Sequence, residues 1–125
     1  MSTGARTVLL IDDDPSHLKL YSLIVGRAGF RALTALVSGP SLELPSEETV
    51  DLCLLDYRIG TALSSVDVAR RLQQIFPAKP IVILSDMPWM PDDVAPYATA
   101  FVRKGEPEKI VEMIGRLVEA GSDSR

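Results

Sequence analysis

Short apolar runs alternate along this chain with stretches whose apolar residues recur at helical spacing. The runs predict five strands, at about 7–12, 30–36, 51–56, 80–84 and 99–103. In those at 7–12, 51–56 and 80–84 the apolar residues follow one another without polar interruption, as in parallel strands buried on both faces. A first helix is predicted over about 15–28, opened by Asp14-Pro15 and closed by Gly29. The segment Ser38 to Pro45 breaks regular structure twice, so a second helix should be short, around 41–48. A third, over about 64–76, carries the stripe Val68, Ala69, Leu72, Ile75 and Phe76, and Pro77 and Pro80 end it. The last runs from Pro107 to about 120 with Ile110, Val111, Ile114, Leu117 and Val118 on one face. Strands alternating with helices imply an α/β fold: a parallel sheet, helices on both faces and right-handed crossovers. Only fifteen residues separate Ser85 from Phe101, and prolines 88, 91 and 96 fall among them. That span has space for one or two helical turns at most, with Pro91 a plausible start.

Composition narrows the class. The 125 residues suffice for one domain with a real core, over 7–120, between an extension at 1–6 and a tail at 121–125. A net charge of −4 argues against a broad nucleic-acid-binding face. Cys53, the single cysteine, lies in the apolar run Val50–Leu55 and reads as a buried structural thiol. No apolar stretch reaches membrane-spanning length and residues 1–6 do not form a signal peptide, so no membrane partner and a cytoplasmic location are expected.

The chemistry gathers where the strands end. The first predicted strand ends in Asp12 and Asp13, the third in Asp56, the fourth in Ser85 and the fifth in Lys104. In a parallel sheet these ends share one edge, where open α/β folds bind ligands. Asp14 suits a helix cap. Asp12 and Asp13 suit no such role, and close carboxylates repel unless a cation joins them. Mg²⁺, a hard ion that prefers oxygen, is the natural candidate. Asp56 is then a candidate nucleophile toward a phosphoryl group. Lys104 and Ser85 would contact phosphoryl oxygens, and the metal would offset their charge.

The pieces Leu10–Pro15, Leu54-Leu-Asp-Tyr-Arg58, Ile83-Leu-Ser85 and Phe101-Val-Arg-Lys104 resemble the receiver domain of bacterial two-component response regulators, over about 7–120. The resemblance implies a flavodoxin-like, doubly wound five-stranded sheet in the order 2-1-3-4-5, with the fourth helix shortened here. It implies that Asp56 accepts phosphate from a histidine kinase or a phosphotransfer protein. It places Mg²⁺ on Asp12, Asp13, Asp56 and the backbone carbonyl of Arg58. It makes Ser85 and Phe101 the hydroxyl and aromatic members of a switch. Such a domain is not an enzyme beyond its own phosphorylation and dephosphorylation, and it signals through a downstream protein or a homodimer.

Several residues depart from the family pattern. The loop Tyr57 to Ser65 lacks the usual proline and Asp-Gly pair, although Gly60 keeps a turn possible. Asp86 stands where a small residue is usual, and it would repel an incoming donor or pair with Arg58 as a gate. Gly105 replaces the usual proline after Lys104, which makes a cis bond there improbable. In the short span, Met87, Trp89, Met90 and Tyr97 are candidate interface residues; alternatively Trp89 packs down over the shortened helix. His17 reads as a solvated or half-buried helix residue, with a phosphorelay histidine as the sharper alternative. Two other functions stay open: an adaptor that is not phosphorylated, and a haloacid-dehalogenase-like phosphatase using Asp12 and Asp14. The phosphatase reading leaves Asp56 without a role.

Overall fold

The strand β1 (Thr7–Asp12) is buried at every position. The computed structural model describes residues 6–44, 50–59 and 62–123. After β1 come α1 (Pro15–Arg27), β2 (Arg31–Leu36), β3 (Leu52–Asp56), α2 (Ser65–Ile75), β4 (Ile81–Ser85), a 3-10 turn (Ala95–Tyr97), β5 (Ala100–Arg103) and α3 (Pro107–Asp123). The strands form one sheet in the order β2-β1-β3-β4-β5, and every neighbouring pair is parallel.

Side chains alternate between the two faces, because a strand turns successive residues to opposite sides. Leu9, Ile11, Leu55 and Ile83 meet Val68, Ala69, Leu72 and Phe76 of the α2 region. Val8, Leu10, Leu54, Val82 and Leu84 meet Leu18 and Val25 of α1 and Ile110, Ile114 and Val118 of α3. Cys53 is buried in the first of these clusters, where burial pushes its thiol up to about 12.

Local sequence sets the helix ends. Asp14 Oδ1 accepts from the Ser16 N–H at 2.9 Å, and Pro15 opens α1. Gly29, at φ +97°, closes it: Phe30 N–H reaches Val25 O at 3.2 Å and Gly29 N–H reaches Gly26 O at 3.0 Å, the Schellman pair. Ser64 and Asp67 form a reciprocal capping box at the start of α2.

Two crossovers differ from a repeating strand–helix plan. The expected helix over 41–48 is absent from its described part, 41–44; residues 45–49 lie outside the described residues. Ser38 and Ser41 instead exchange backbone hydrogen bonds of 2.9 Å around Gly39, at φ +59°. Leu42 and Leu44 then both pack on the core, a period-two pattern that suits extended chain. Between β4 and β5 the chain forms only turns and the Ala95–Tyr97 3-10 helix, so the expected stunting is seen. Gly60 lies outside the described residues. The helix α3 runs to Asp123, a little past its expected end.

Candidate functional site at the carboxyl edge of the sheet

Strand register builds the site. Ile11 is level with Leu55, so the next residues, Asp12 and Asp56, emerge side by side. Asp56 is level with Leu84, which puts Ser85 one step further out. Ser85 is level with Arg103, and Lys104 follows, its N–H held by Ser85 O at 2.8 Å. Asp12, Asp56 and Ser85 are all buried.

Each carboxylate is partly satisfied by backbone. Asp12 Oδ1 accepts from the N–H groups of Asp13 and Asp14 at 2.7 and 3.2 Å. Asp56 Oδ1 accepts from the Arg58 N–H at 2.9 Å. Lys104 Nζ stands 2.8 Å from Asp56 Oδ2. Burial alone would lower the lysine's pKa, but the hydrogen bond and charge of Asp56 outweigh it and raise it. Among the described residues no lysine or arginine pairs with Asp12 in this way. Its Oδ2 is buried without a hydrogen bond. Burial, and then the neighbouring Asp56 carboxylate, push Asp12 up to about 8. A strained carboxylate pair with an unpartnered buried oxygen fits a divalent cation.

The remaining named residues fall as follows. Asp13 is exposed, and the group that converges on one point is Asp12, Asp56 and His17. His17 Nδ1 lies 3.3 Å from Asp12 Oδ2 and its Nε2 lies 3.5 Å from Asp14 Oδ2. Ser85 Oγ accepts from the Met87 N–H at 3.1 Å, which leaves its own O–H free to donate. Phe101 is half-buried against the α2-side core. Arg58 Nη2 and Asp86 Oδ1 lie 3.8 Å apart on exposed side chains. The Lys104–Gly105 bond is not cis, and Gly105 sits at φ +87°, where proline could not.

In the short span, Trp89 is 65% exposed and does not pack down. Met87 is half-buried. Met90 turns inward onto the core and so leaves the outward patch. Tyr97 lies under the Arg70 guanidinium, 5.7 Å from ring centre to Cζ. One contact had no signal in the sequence: Tyr57 O–H donates to Asp93 at 3.0 Å, across 36 positions of chain. Asp14, the second carboxylate of the phosphatase alternative, is committed to capping α1. No described helix is long and apolar enough to cross a membrane.

No family model matches the sequence. Over 95 residues, 76% of this chain, it is 33% identical to the transcriptional regulatory protein GlrR of Escherichia coli strain K12. The match spans only 21% of that longer protein. Among solved structures, a CheY-like response regulator receiver domain protein from Methanospirillum hungatei superposes with a TM-score of 0.80 at 15% identity, covering 98% of this chain and 100% of that one. The response regulator TrrA of Thermotoga maritima, solved with Mg²⁺ and BeF, superposes at 0.73 with 20% identity, covering 90% of this chain and 98% of its own. By sheet order and these likenesses, the chain has the fold of CheY-like response regulator receiver domains, and over 95 residues its sequence is similar to that of a response regulator.

Proposed function

We propose that the domain is a phosphoacceptor: Asp56 takes a phosphoryl group from a phosphohistidine on a kinase or phosphotransfer partner and passes the signal to another protein. The observation that carries this is the Asp56 carboxylate, buried at the end of β3, with Lys104 at 2.8 Å and Asp12 beside it. An Asp56 oxygen attacks phosphorus, the P–N bond breaks, and the imidazole leaves with its electron pair and takes up a proton. An acyl phosphate forms. Asp12, Asp13, Asp56 and the Arg58 carbonyl would hold Mg²⁺. When bound there, the ion would supply positive charge to offset that of a phosphoryl group. Lys104 is already in place to pair with a phosphoryl oxygen, and the free Ser85 O–H can donate to another. The Mg²⁺–BeF complex of TrrA supports this assignment by likeness of fold. The domain catalyses only its own phosphorylation and dephosphorylation.

A second reading, an adaptor that is never phosphorylated, draws support from one feature. Asp86 stands exposed beside Arg58 and places a negative charge where an anionic donor would approach. One experiment decides between them. The protein is incubated with acetyl phosphate and Mg²⁺ and its intact mass is measured. The phosphoacceptor gains one phosphoryl group, and Asp56→Asn gains none. A folded wild type that gains no mass is the adaptor.

A further inference from the structure

His17 is a chemistry-bearing residue at this edge that phosphotransfer leaves unused. It lies in the first turn of α1, which carries its Nδ1 to 3.3 Å from Asp12 Oδ2. Both atoms are shut off from solvent, and neither makes a hydrogen bond. A His17 ring nitrogen and one oxygen each from Asp12 and Asp56 lie within 4.8 Å of one another. Both carboxylates are 2% exposed, so the pocket is built from buried donors rather than from a surface cluster. Buried polar atoms without partners are rare, and their convergence marks a place for something that joins them. Behind the ring, Asp14 Oδ2 stands 3.5 Å from Nε2. The ring thus lies between two carboxylates, with Nδ1 toward Asp12 and Nε2 toward Asp14. Metal-ligating histidines commonly have such a carboxylate behind them. The side chain is 44% exposed, which gives an ion a way in.

We propose that this pocket is a mixed nitrogen–oxygen site that selects a transition dication of the Zn²⁺ or Co²⁺ type over Mg²⁺, with His17 Nδ1 as a ligand beside Asp12 and Asp56. The inference deepens the phosphoacceptor reading and rests on it only in taking the pocket as a divalent-metal site. Ligand chemistry carries the choice. Mg²⁺ takes oxygen, keeps several waters and gains little from an imidazole, whereas Zn²⁺ and Co²⁺ bind imidazole well. The rival occupant is a proton, which would make His17 an imidazolium paired with Asp12 and Asp14.

His17 is the sole histidine of the sequence, so its ring resonances need no assignment in untagged protein. The ¹⁵N-labelled protein is titrated with Zn²⁺ and, separately, with Mg²⁺. Affinities are measured by calorimetry for the wild type, His17→Ala and His17→Gln. Zn²⁺ should shift the Nδ1 resonance strongly, and the Zn²⁺ over Mg²⁺ preference should fall about tenfold or more in both variants. A ring that Zn²⁺ leaves unmoved overturns the proposal, and so does an unchanged preference. If a variant does not fold, the wild-type ring shift still decides. Acetyl phosphate labelling separates the two readings. Labelling with an unmoved ring removes the selectivity and keeps the phosphoacceptor. A shifted ring without labelling does the reverse.

Discussion

At the scale of single residues, Asp12 is where the pocket is least satisfied. Its carboxyl is held at about 8 against an ordinary value of 3.8, by burial first and then by Asp56. Between these values the folded protein keeps a proton that the unfolded chain has released. The Asp12 contribution to stability is therefore full below 3.8 and is lost as pH rises through about 8. Denaturation in chelator should show this as the difference between wild type and Asp12→Asn, the wild type losing ground toward alkaline pH. A divalent ion stabilises the ionised form, so Mg²⁺ should raise the midpoint more at the alkaline end than at the acid end. A difference curve that is flat across the window would remove Asp12 from this role. Asp86 offers a second residue-scale prediction. Its pair with Arg58 is exposed at 3.8 Å, so Asp86→Ala should change stability by only about 0–1 kcal/mol. If the pair gates the site, the same variant should be labelled faster by acetyl phosphate. Equal or slower labelling argues that Asp86 does not obstruct the donor.

At the scale of elements, the caps and the left-handed glycines hold the strand ends in register. Ser64→Ala breaks the capping box of α2 and should cost about 1 kcal/mol in chemical denaturation. Gly105→Ala tests the turn after Lys104. A Cβ there meets nothing within 4 Å, so the cost is the backbone's alone, about 1–2 kcal/mol for φ +87°. A smaller loss would mean that the turn relaxes to another conformation. These elements were legible because their signals are local. Asp14-Pro15 and the Val68–Leu72 stripe announce helices within a few residues, and continuous apolar runs announce buried strands. The segment 41–44 is extended because Leu42 and Leu44, two apart, reach one core face, a spacing too short between Gly39-Pro40 and Pro45 to stand out in the sequence. Among site residues, Asp12, Asp56, Ser85 and Lys104 could be placed by strand order alone. The distances from His17 to Asp12 and Asp14 depend on how α1 turns over the sheet. The Tyr57–Asp93 bond depends on the path of a loop that has no periodicity to read.

At the scale of the whole molecule, the two faces of the sheet are covered unequally. The helices α1 and α3 share one face, while α2, the 3-10 turn and irregular chain cover the other. Met90 and Val94 pack on this second side, within a strap over 86–94 that carries Trp89 outward, 65% exposed. Its apolar ring is the natural anchor for a protein partner or a second copy of the chain. Trp89→Ala should therefore weaken association measured by ultracentrifugation or recovery of a partner, with and without phosphodonor. Unchanged association on every count would assign the output surface elsewhere. Tyr57→Phe deletes the hydroxyl that grips Asp93, and amide exchange should then quicken in the strap while β1, β3 and β4 stay protected.

That grip has a consequence for signalling in both directions. The two residues that follow Asp56, Tyr57 and Arg58, also touch the strap, at Asp93 and Asp86. If a phosphoryl group sits on Asp56 and a partner on Trp89, both would act on these contacts. Coupling free energy is reciprocal. By whatever factor a phosphoryl group or metal ion alters a partner's affinity for the strap, the partner must alter the affinity of the pocket. A partner on Trp89 is thereby a reader of the site and also a hand on it.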